Sequence, residues 1–423
     1  MRQIRRRLAC AAATVAVALT GACGPDTPEK MTLTLATFGQ FGYDDLLPGY
    51  EFTHPGITVR LVRAEQGGPY HQDLLSKLEK GEQLADIQAV EEGHLADVLA
   101  HSDKFADLAK IGPADVKPGR WLEWKYEAGR SKDGKLVGYG TDIGPLAMCY
   151  RKDLLEAAGL PTDPGSVKTM FATWDSYFKA GDRYVKRSHG KAWFDSSAQT
   201  FNAMVNQLPV GYLDRDDHST LETNAALKDA WDQVTGAVKQ GQSAGLTAFA
   251  EDGNAGLRTG AFATKVCPSW MLGIIEQEAG IGNAGKWAIT DTFPDGGGNW
   301  GGSYLTVPSS SPHQKEAAAL AAWLTAPEQQ LHAFRVSGNF PSQVDAFTSP
   351  DLLSEMNSYF GGALIGQVFA AQARKVGKPQ YKGPGDGKIQ ETVIAPALRS
   401  VEQGADPAAV WQQVILGVHR VVP

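Results

Sequence analysis

Residues Asn299–Gln343 read NWGGSYLTVPSSSPHQKEAAALAAWLTAPEQQLHAFRVSGNFPSQ. The stretch opens with Trp300 beside Gly301-Gly302-Ser303. An apolar strand follows, Tyr304-Leu305-Thr306-Val307, and Pro308 stops it. Ser311 has the chemistry of a helix N-cap, with Pro312 at the first helical position and Gln314 completing a capping box. Ala317, Leu320, Ala321 and Leu324 recur at helical spacing, so one face of that helix is predicted to be buried. Thr325 and Pro327 repeat the cap-and-proline signal and begin a second helix, carrying Leu331 and Phe334, that Gly338-Asn339 ends. Glycines at a strand end let a ligand or another backbone approach the main chain. Trp300 adds a flat apolar face there, and Ser303 a hydroxyl.

Upstream, strands and helices alternate. Met31–Ala36 reads as a first strand, Ile57–Arg63 as a second and Ala85–Val90 as a third, with helical patterns between them. That alternation predicts parallel strands in a doubly wound sheet. Ligands of such sheets bind beyond the carboxyl ends of the strands, here Gln40 and Phe41, Gln66, and Glu91 and Glu92. The glycines at 296–298 are no P-loop, because no Gly-Lys-Ser/Thr follows. Asp214–His218 lacks the glycine and terminal glutamate of a calcium loop and reads as a turn. The final helix places Val410, Val414 and Val418 on one buried face, with Trp411 packing beside it.

Two further segments extend the pattern. Lys135–Gly165 contains Gly138, Tyr139, Asp142, Gly144-Pro145, Tyr150, Lys152-Asp153-Leu154 and Ala158-Gly159-Leu160, and Thr173-Trp174-Asp175 follows it. Later come Gly260–Thr264 and Cys267-Pro-Ser-Trp270-Met271. Together with Gly301-Gly302-Ser303, Val307-Pro308 and Leu324–Glu328, this order of motifs resembles family 1 extracellular solute-binding proteins, the ligand receptors of ABC importers. The resemblance covers nearly all of the chain after residue 30. It implies an α/β, periplasmic-binding-protein-like fold: two doubly wound α/β domains joined by a hinge, with a cleft between them. Residues 31–143 and 288–335 would form the first domain, and 144–287 and 336–423 the second. The strand starting at Trp287 would re-enter the first domain.

The resemblance also implies a site. Asp142 and Asp195 would accept hydrogen bonds in the cleft, Trp270 would stack on the ligand, and Tyr381 would supply an aromatic from the Gln380–Gly387 loop. Gln40, Phe41, Glu92, Trp300, Gly302 and Ser303 complete the candidate set. The two tryptophans point to a sugar, because its CH faces pack on rings while carboxylates take its hydroxyls. The runs around Cys149, Trp270 and Trp300 are more similar to oligosaccharide-binding members than to those for polyamines or iron. No cofactor and no metal are implied. The other function classes weighed are an exported glycoside hydrolase, for which Asp142 and Asp195 would be the carboxylate pair, and an adhesion lipoprotein.

The N-terminus fits export. Met1–Arg7 carries four arginines, Leu8–Leu19 is a short apolar run, and Leu19-Thr-Gly-Ala-Cys23 resembles a lipobox. Residues 1–22 read as a signal peptide, Cys23 as the lipidated residue, and 23–30 as a polar tether. The apolar run is shorter than the ~20 residues that a spanning helix needs. About 393 residues follow from Met31 on, enough for two domains. Without the four leader arginines, 36 basic residues face 47 acidic ones, a charge near −11 that argues against nucleic acid as partner. The expected partners are a sugar or oligosaccharide, the permease subunits of an ABC transporter, and a membrane reached through the lipid; a monomer outside the cell membrane is expected. With Cys10 lost and Cys23 lipidated, Cys149 and Cys267 remain, either as a disulfide or as two buried thiols. In an oxidising compartment the disulfide is the simpler reading.

Overall fold

The computed structural model describes residues 30–377 and 379–422. The leader, Cys23 and all of the tether but Lys30 lie outside the described residues. The strands are β1 (Met31–Phe38), β2 (Ile57–Ala64), β3 (Ile87–Glu91), β4 (Gly138–Gly140), β5 (Asp142–Ile143), β6 (Leu146–Arg151), β7 (Ala192–Phe194), β8 (Phe262–Pro268), β9 (Trp287–Thr290), β10 (Ser303–Thr306) and β11 (Phe340–Pro341).

They form two main sheets. The first has the order β2-β1-β3-β10-β4. β1 pairs in parallel with β2 and β3, as the helix-strand alternation dictates. β10 then enters antiparallel between β3 and β4. Leu33, Leu35, Ile87, Ala89 and Leu305 from these strands share one core with Ala317, Leu320, Ala321 and Leu324 of the helix Gln314–Leu324. Burying each such leucine stabilises the fold by roughly 1.5–3 kcal/mol. The second sheet has the order β7-β8-β6-β9. Its larger core includes Trp193, Trp231, Val410, Val414 and Val418. Trp411 lies 5.1 Å from Trp231, ring centre to ring centre, so it packs inward beside the valine face.

Several local readings change. Ser311 does not cap the helix Gln314–Leu324, whose N-cap is His313. Its hydroxyl accepts from His313 N–H at 3.1 Å, ahead of the first helical residue, and donates to Asp86 Oδ1 at 2.6 Å; Asp86 in turn holds Thr34 of β1. Thr325 likewise donates back to Ala321 O at 2.9 Å and closes the preceding helix, leaving Pro327 to start the next. The strand at Trp287 does not re-enter the first sheet. β9 pairs antiparallel with β6, and the chain returns only at β10. Phe334, on the helix Pro327–Ser337, packs with Phe340, Phe369, Cys149 and Cys267 rather than with the first core.

Cys149 on β6 and Cys267 on β8 form a disulfide, with their Cα atoms 5.6 Å apart. The two strands are antiparallel neighbours, with Ala147 opposite Cys267 and Cys149 opposite Lys265. The bond staples positions 118 residues apart in sequence. Closing a loop of that size removes unfolded-state entropy and stabilises by roughly 2–5 kcal/mol. Thiol titration of the denatured, non-reduced 30–423 protein should therefore find no reactive thiol. Replacing both cysteines with alanine should lower the denaturant midpoint by the corresponding amount; two titratable thiols would refute the pairing.

Candidate ligand-binding cleft

Three stretches lie where the two sheets meet: Gly140–Pro145 runs from β4 to β6, Asn299–Gly302 leads from β9 to β10, and β11 lies beside β5. The short β5 pairs antiparallel with β11. Trp300 N–H donates to Gly144 O at 2.8 Å, and Gly144 N–H donates to Asn299 Oδ1 at 2.9 Å. The first two crossings lie so close that a Cβ on Gly144 would sit 1.8 Å from Trp300 O. Gly302 has φ +95°, and a Cβ there would meet Asp142 O at 2.4 Å. Only glycine fits at either position.

This packing fixes Asp142. Its Oδ1 accepts from Thr141 Oγ1 at 2.5 Å and from Ser303 N–H at 2.9 Å. Among the described residues its Oδ2 has no donor. Beneath it lies Lys125, fully buried, with Nζ 3.9 Å from the centre of the Tyr304 ring and, among the described residues, without a hydrogen-bond acceptor. Burial lowers the Lys125 pKa, while Glu92, Asp142 and Glu91 oppose that shift. Burial raises the Asp142 pKa against Lys125 and its two donors. Glu92 is pushed up to about 7 by burial, with Lys382 and Lys125 pulling the other way.

A cleft of about 1130 Å³ opens over this floor. One wall carries Trp270 and Trp300. Their rings meet edge to face at 5.7 Å and 86°, and Trp270 Nε1 donates to Trp300 O at 3.1 Å. Phe38, Phe41 and His71 also line the cleft. His71 Nε2 accepts from Glu91 N–H at 3.0 Å, so Nδ1 bears the hydrogen and donates to Gly67 O at 2.7 Å. Its ring stacks on His94 at 4.2 Å. Both nitrogens of His71 are used by the neutral form, and burial lowers its pKa accordingly. His94 differs. Burial alone would lower its pKa, but the hydrogen bond to Glu391 and the fields of Glu91, Glu391 and Asp97 outweigh it and raise the value. His94 Nε2 lies 3.2 Å from Glu391 Oε1, and Gly385 N–H donates to Asp97 at 2.9 Å, so the helix Glu92–Ala100 touches the C-terminal segment across the cleft.

Of the predicted residues, Gln40, Phe41, Asp142, Trp270, Trp300, Gly302 and Ser303 line this cleft. Three do not. Glu92 turns its carboxylate back to Asn299 Nδ2 at 2.7 Å, and its neighbour Glu91 faces the cavity instead. Asp195 is buried and paired with Lys265 of β8, a cation of the same sheet that a lone motif does not announce. Tyr381 points away and donates to Asp217 Oδ1 at 2.5 Å, with the Arg215 guanidinium over its ring. From the same loop Lys382 and Asp386 enter the cleft. Sequence reasoning missed these two, and also Lys125, His71, His94 and Glu391. The Pro384-Gly-Asp-Gly387 signal marked the loop, but nothing in it ranked Asp386 above the tyrosine.

With two α/β halves, the stretches between their sheets and a cleft where they meet in view, the comparisons with known proteins agree. Residues 49–356 match the family model described as bacterial extracellular solute-binding protein. The chain belongs to this family. The family chain is 28% identical over 309 residues to the arabinooligosaccharide-binding protein of Bacillus subtilis (strain 168), covering 69% of this chain and 67% of that one. A crystal structure of an extracellular solute-binding protein family 1 member superposes with TM-score 0.82 at 44% identity, covering 93% of this chain and 100% of that one. The ABC-transporter-associated binding protein of B. animalis subsp. lactis Bl-04, solved with beta-1,6-galactobiose, shares the fold with TM-score 0.78 at 19% identity, over 92% and 98% of the two chains.

The cleft floor should make stability fall with rising pH. Glu92, held near 7 against an ordinary 4.5, and Asp386, held near 6 against 3.8, bind protons more tightly folded than unfolded. His94 is raised as well. Stability from a raised pKa is complete below the unfolded value and is lost as pH climbs through the folded one. Below pH 6.5 the lowered pKa of His71 works the other way, so the check is the difference between wild type and Glu92→Gln: the melting temperature of wild type should fall relative to that of the variant as pH climbs from about 5 to 8. A difference that stays constant over this window would contradict the assignment.

Proposed function

We propose that the protein is the extracytoplasmic receptor of an ABC importer, that it captures a sugar of oligosaccharide size between its halves, and that it hands the sugar to a permease. The observation that carries this reading is the pairing of a fixed acceptor with an aromatic wall. Asp142 has one oxygen held by two donors and the other without a donor among the described residues, and Trp270 and Trp300 line the same cleft. A ring stacked on an indole and a hydroxyl on a carboxylate are the two interactions that a pyranose or furanose can make at once. The cleft volume of about 1130 Å³ is at the upper limit of pockets for drug-sized ligands, roughly 300–1,000 Å³, which favours more than one sugar ring. The name of the Bacillus subtilis relative, an arabinooligosaccharide-binding protein, points the same way. The reading includes a monomer, tethered by lipid on Cys23. A hydrolase working through Asp142 and Asp195 finds no support in the geometry, since Lys265 holds Asp195 inside the second sheet.

Calorimetric titration against arabino-, galacto- and gluco-oligosaccharides should find at least one that binds without being cleaved. Trp270→Ala should weaken that affinity by about ten- to a hundredfold, each 1.4 kcal/mol being a factor of ten, while the melting temperature of the free protein stays close to wild type. Unchanged affinity would remove Trp270 from the site, and failure of every saccharide would remove the sugar. Separately, Cys23→Ala should shift the protein from the membrane to the soluble fraction with its affinity intact; a variant that stays with the membrane would refute the anchor.

A further inference from the structure

Among the described residues, four other than glycine have a positive φ: His189, Asp217, Phe249 and Asp295. Histidine and aspartate enter the left-handed region more readily than most side chains, but a bulky aromatic there is an outlier. Phe249 has φ +64°. Its turn is braced on both sides. Leu246 N–H donates to Asp195 O at 3.1 Å, Ala250 N–H to Thr247 O at 3.2 Å, and Thr247 N–H to Asp252 Oδ2 at 2.9 Å. Thr247 Oγ1 accepts from the Arg399 guanidinium at 2.6 Å. Gly253 lets the helix Glu251–Thr259 start against this turn, since a Cβ there would lie 2.4 Å from Thr247 O. None of these bonds uses the phenyl ring, so glycine or asparagine at 249 would suit the turn better. Burial does not account for the ring either, because the residue is 43% exposed. Backbone strain of this kind clusters at ligand-binding positions.

The ring lines the cleft and lies 6.1 Å from that of Trp270, centre to centre, tilted by 42°. Trp270 in turn lies 5.7 Å from Trp300, at 86°. Both indoles abut Gly144, close to Asp142: a Cβ on Gly144 would lie 1.8 Å from Trp300 O and 3.2 Å from Trp270 Nε1. Phe249 joins this row at Trp270. Because neighbouring rings of the row are not coplanar, one flat sugar ring cannot lie on all three faces. We propose that Phe249 stacks on a second sugar residue, next to the one held by the tryptophans and Asp142, and thereby favours longer saccharides over a monosaccharide. This rests on the saccharide reading above and adds a length preference to it. The apolar CH face of the second sugar covers the phenyl ring and removes it from water. The braced turn is in place before the sugar arrives, so binding does not have to order the loop.

The test is titration calorimetry of the full-length protein with arabinose, galactose and glucose and with their di-, tri- and tetrasaccharides. Wild type should bind at least one oligosaccharide ~10-fold or more tighter than the matching monosaccharide. Phe249→Asn, whose side chain tolerates a positive φ, should weaken that oligosaccharide by about five- to thirtyfold. It should leave the monosaccharide, where that binds, within about twofold. Phe249→Tyr, which keeps the ring, should stay within about twofold of wild type on both. The melting temperature of free Phe249→Asn should equal or exceed that of wild type. An asparagine variant that binds the oligosaccharide as wild type does overturns the proposal, and so does a loss that is equal for both lengths. A tyrosine variant as weak as the asparagine one refutes stacking. A marked fall in the melting temperature of Phe249→Asn identifies a packing residue and refutes it as well. If Trp270→Ala loses affinity and Phe249→Asn does not, the sugar reading stands and only the role of Phe249 falls. If wild type binds no saccharide of any length, the sugar reading fails, and the role of Phe249 with it.

Discussion

The hydrogen bond from Ser303 N–H to Asp142 Oδ1 joins the two stretches that run between the sheets of this protein. It forms because Gly302, at φ +95°, lets the incoming strand lie against the Asp142 backbone. A side chain at 302 would push the segments apart and take the N–H out of reach. The bond serves two purposes at once. It sets the geometry of the hinge, and it turns the second oxygen of Asp142 toward the cavity.

A buried carboxylate is costly unless it is paired and bonded. Here the cost is spread over a network. Lys125 supplies charge from below, Asn299 donates to Glu92, and Glu92 N–H donates to Gly302 O at 3.0 Å. Burial raises the pKa values of Glu92 and Asp386, against the pull of the nearby lysines. The result is a set of acceptors on ends of strands, close to a pair of indoles, where the two sheets meet.

The order of elements was legible from residues alone. Alternating apolar runs gave β1, β2 and β3, four-residue spacing gave the Val410–Val418 face, and the glycine pair at 301–302 marked a close backbone approach. Side-chain partners were less legible, because they come from other parts of the chain. Ser311 has the chemistry of a cap, yet Asp86, 225 residues away, claims its hydroxyl. Asp195 and Asp142 look alike as isolated aspartates; Lys265 makes one an interior ion pair, while the other keeps an oxygen without a donor among the described residues. Tyr381 was the obvious aromatic of its loop, but Asp217 draws it outward and brings Lys382 and Asp386 inward. The swap of Glu91 for Glu92 follows from the strand-to-helix turn: Glu91 ends β3 and caps the helix Glu92–Ala100 through Gly93 N–H, while Glu92 is already that helix's first residue and bonds Asn299.

A crystal structure with a bound saccharide tests the central claim most directly. A sugar ring is expected against Trp270 or Trp300, with a hydroxyl within roughly 2.6–3.0 Å of Asp142 Oδ2. Ser303 N–H is expected to stay on Asp142 Oδ1. A sugar held elsewhere, with Asp142 making no contact, would contradict that claim.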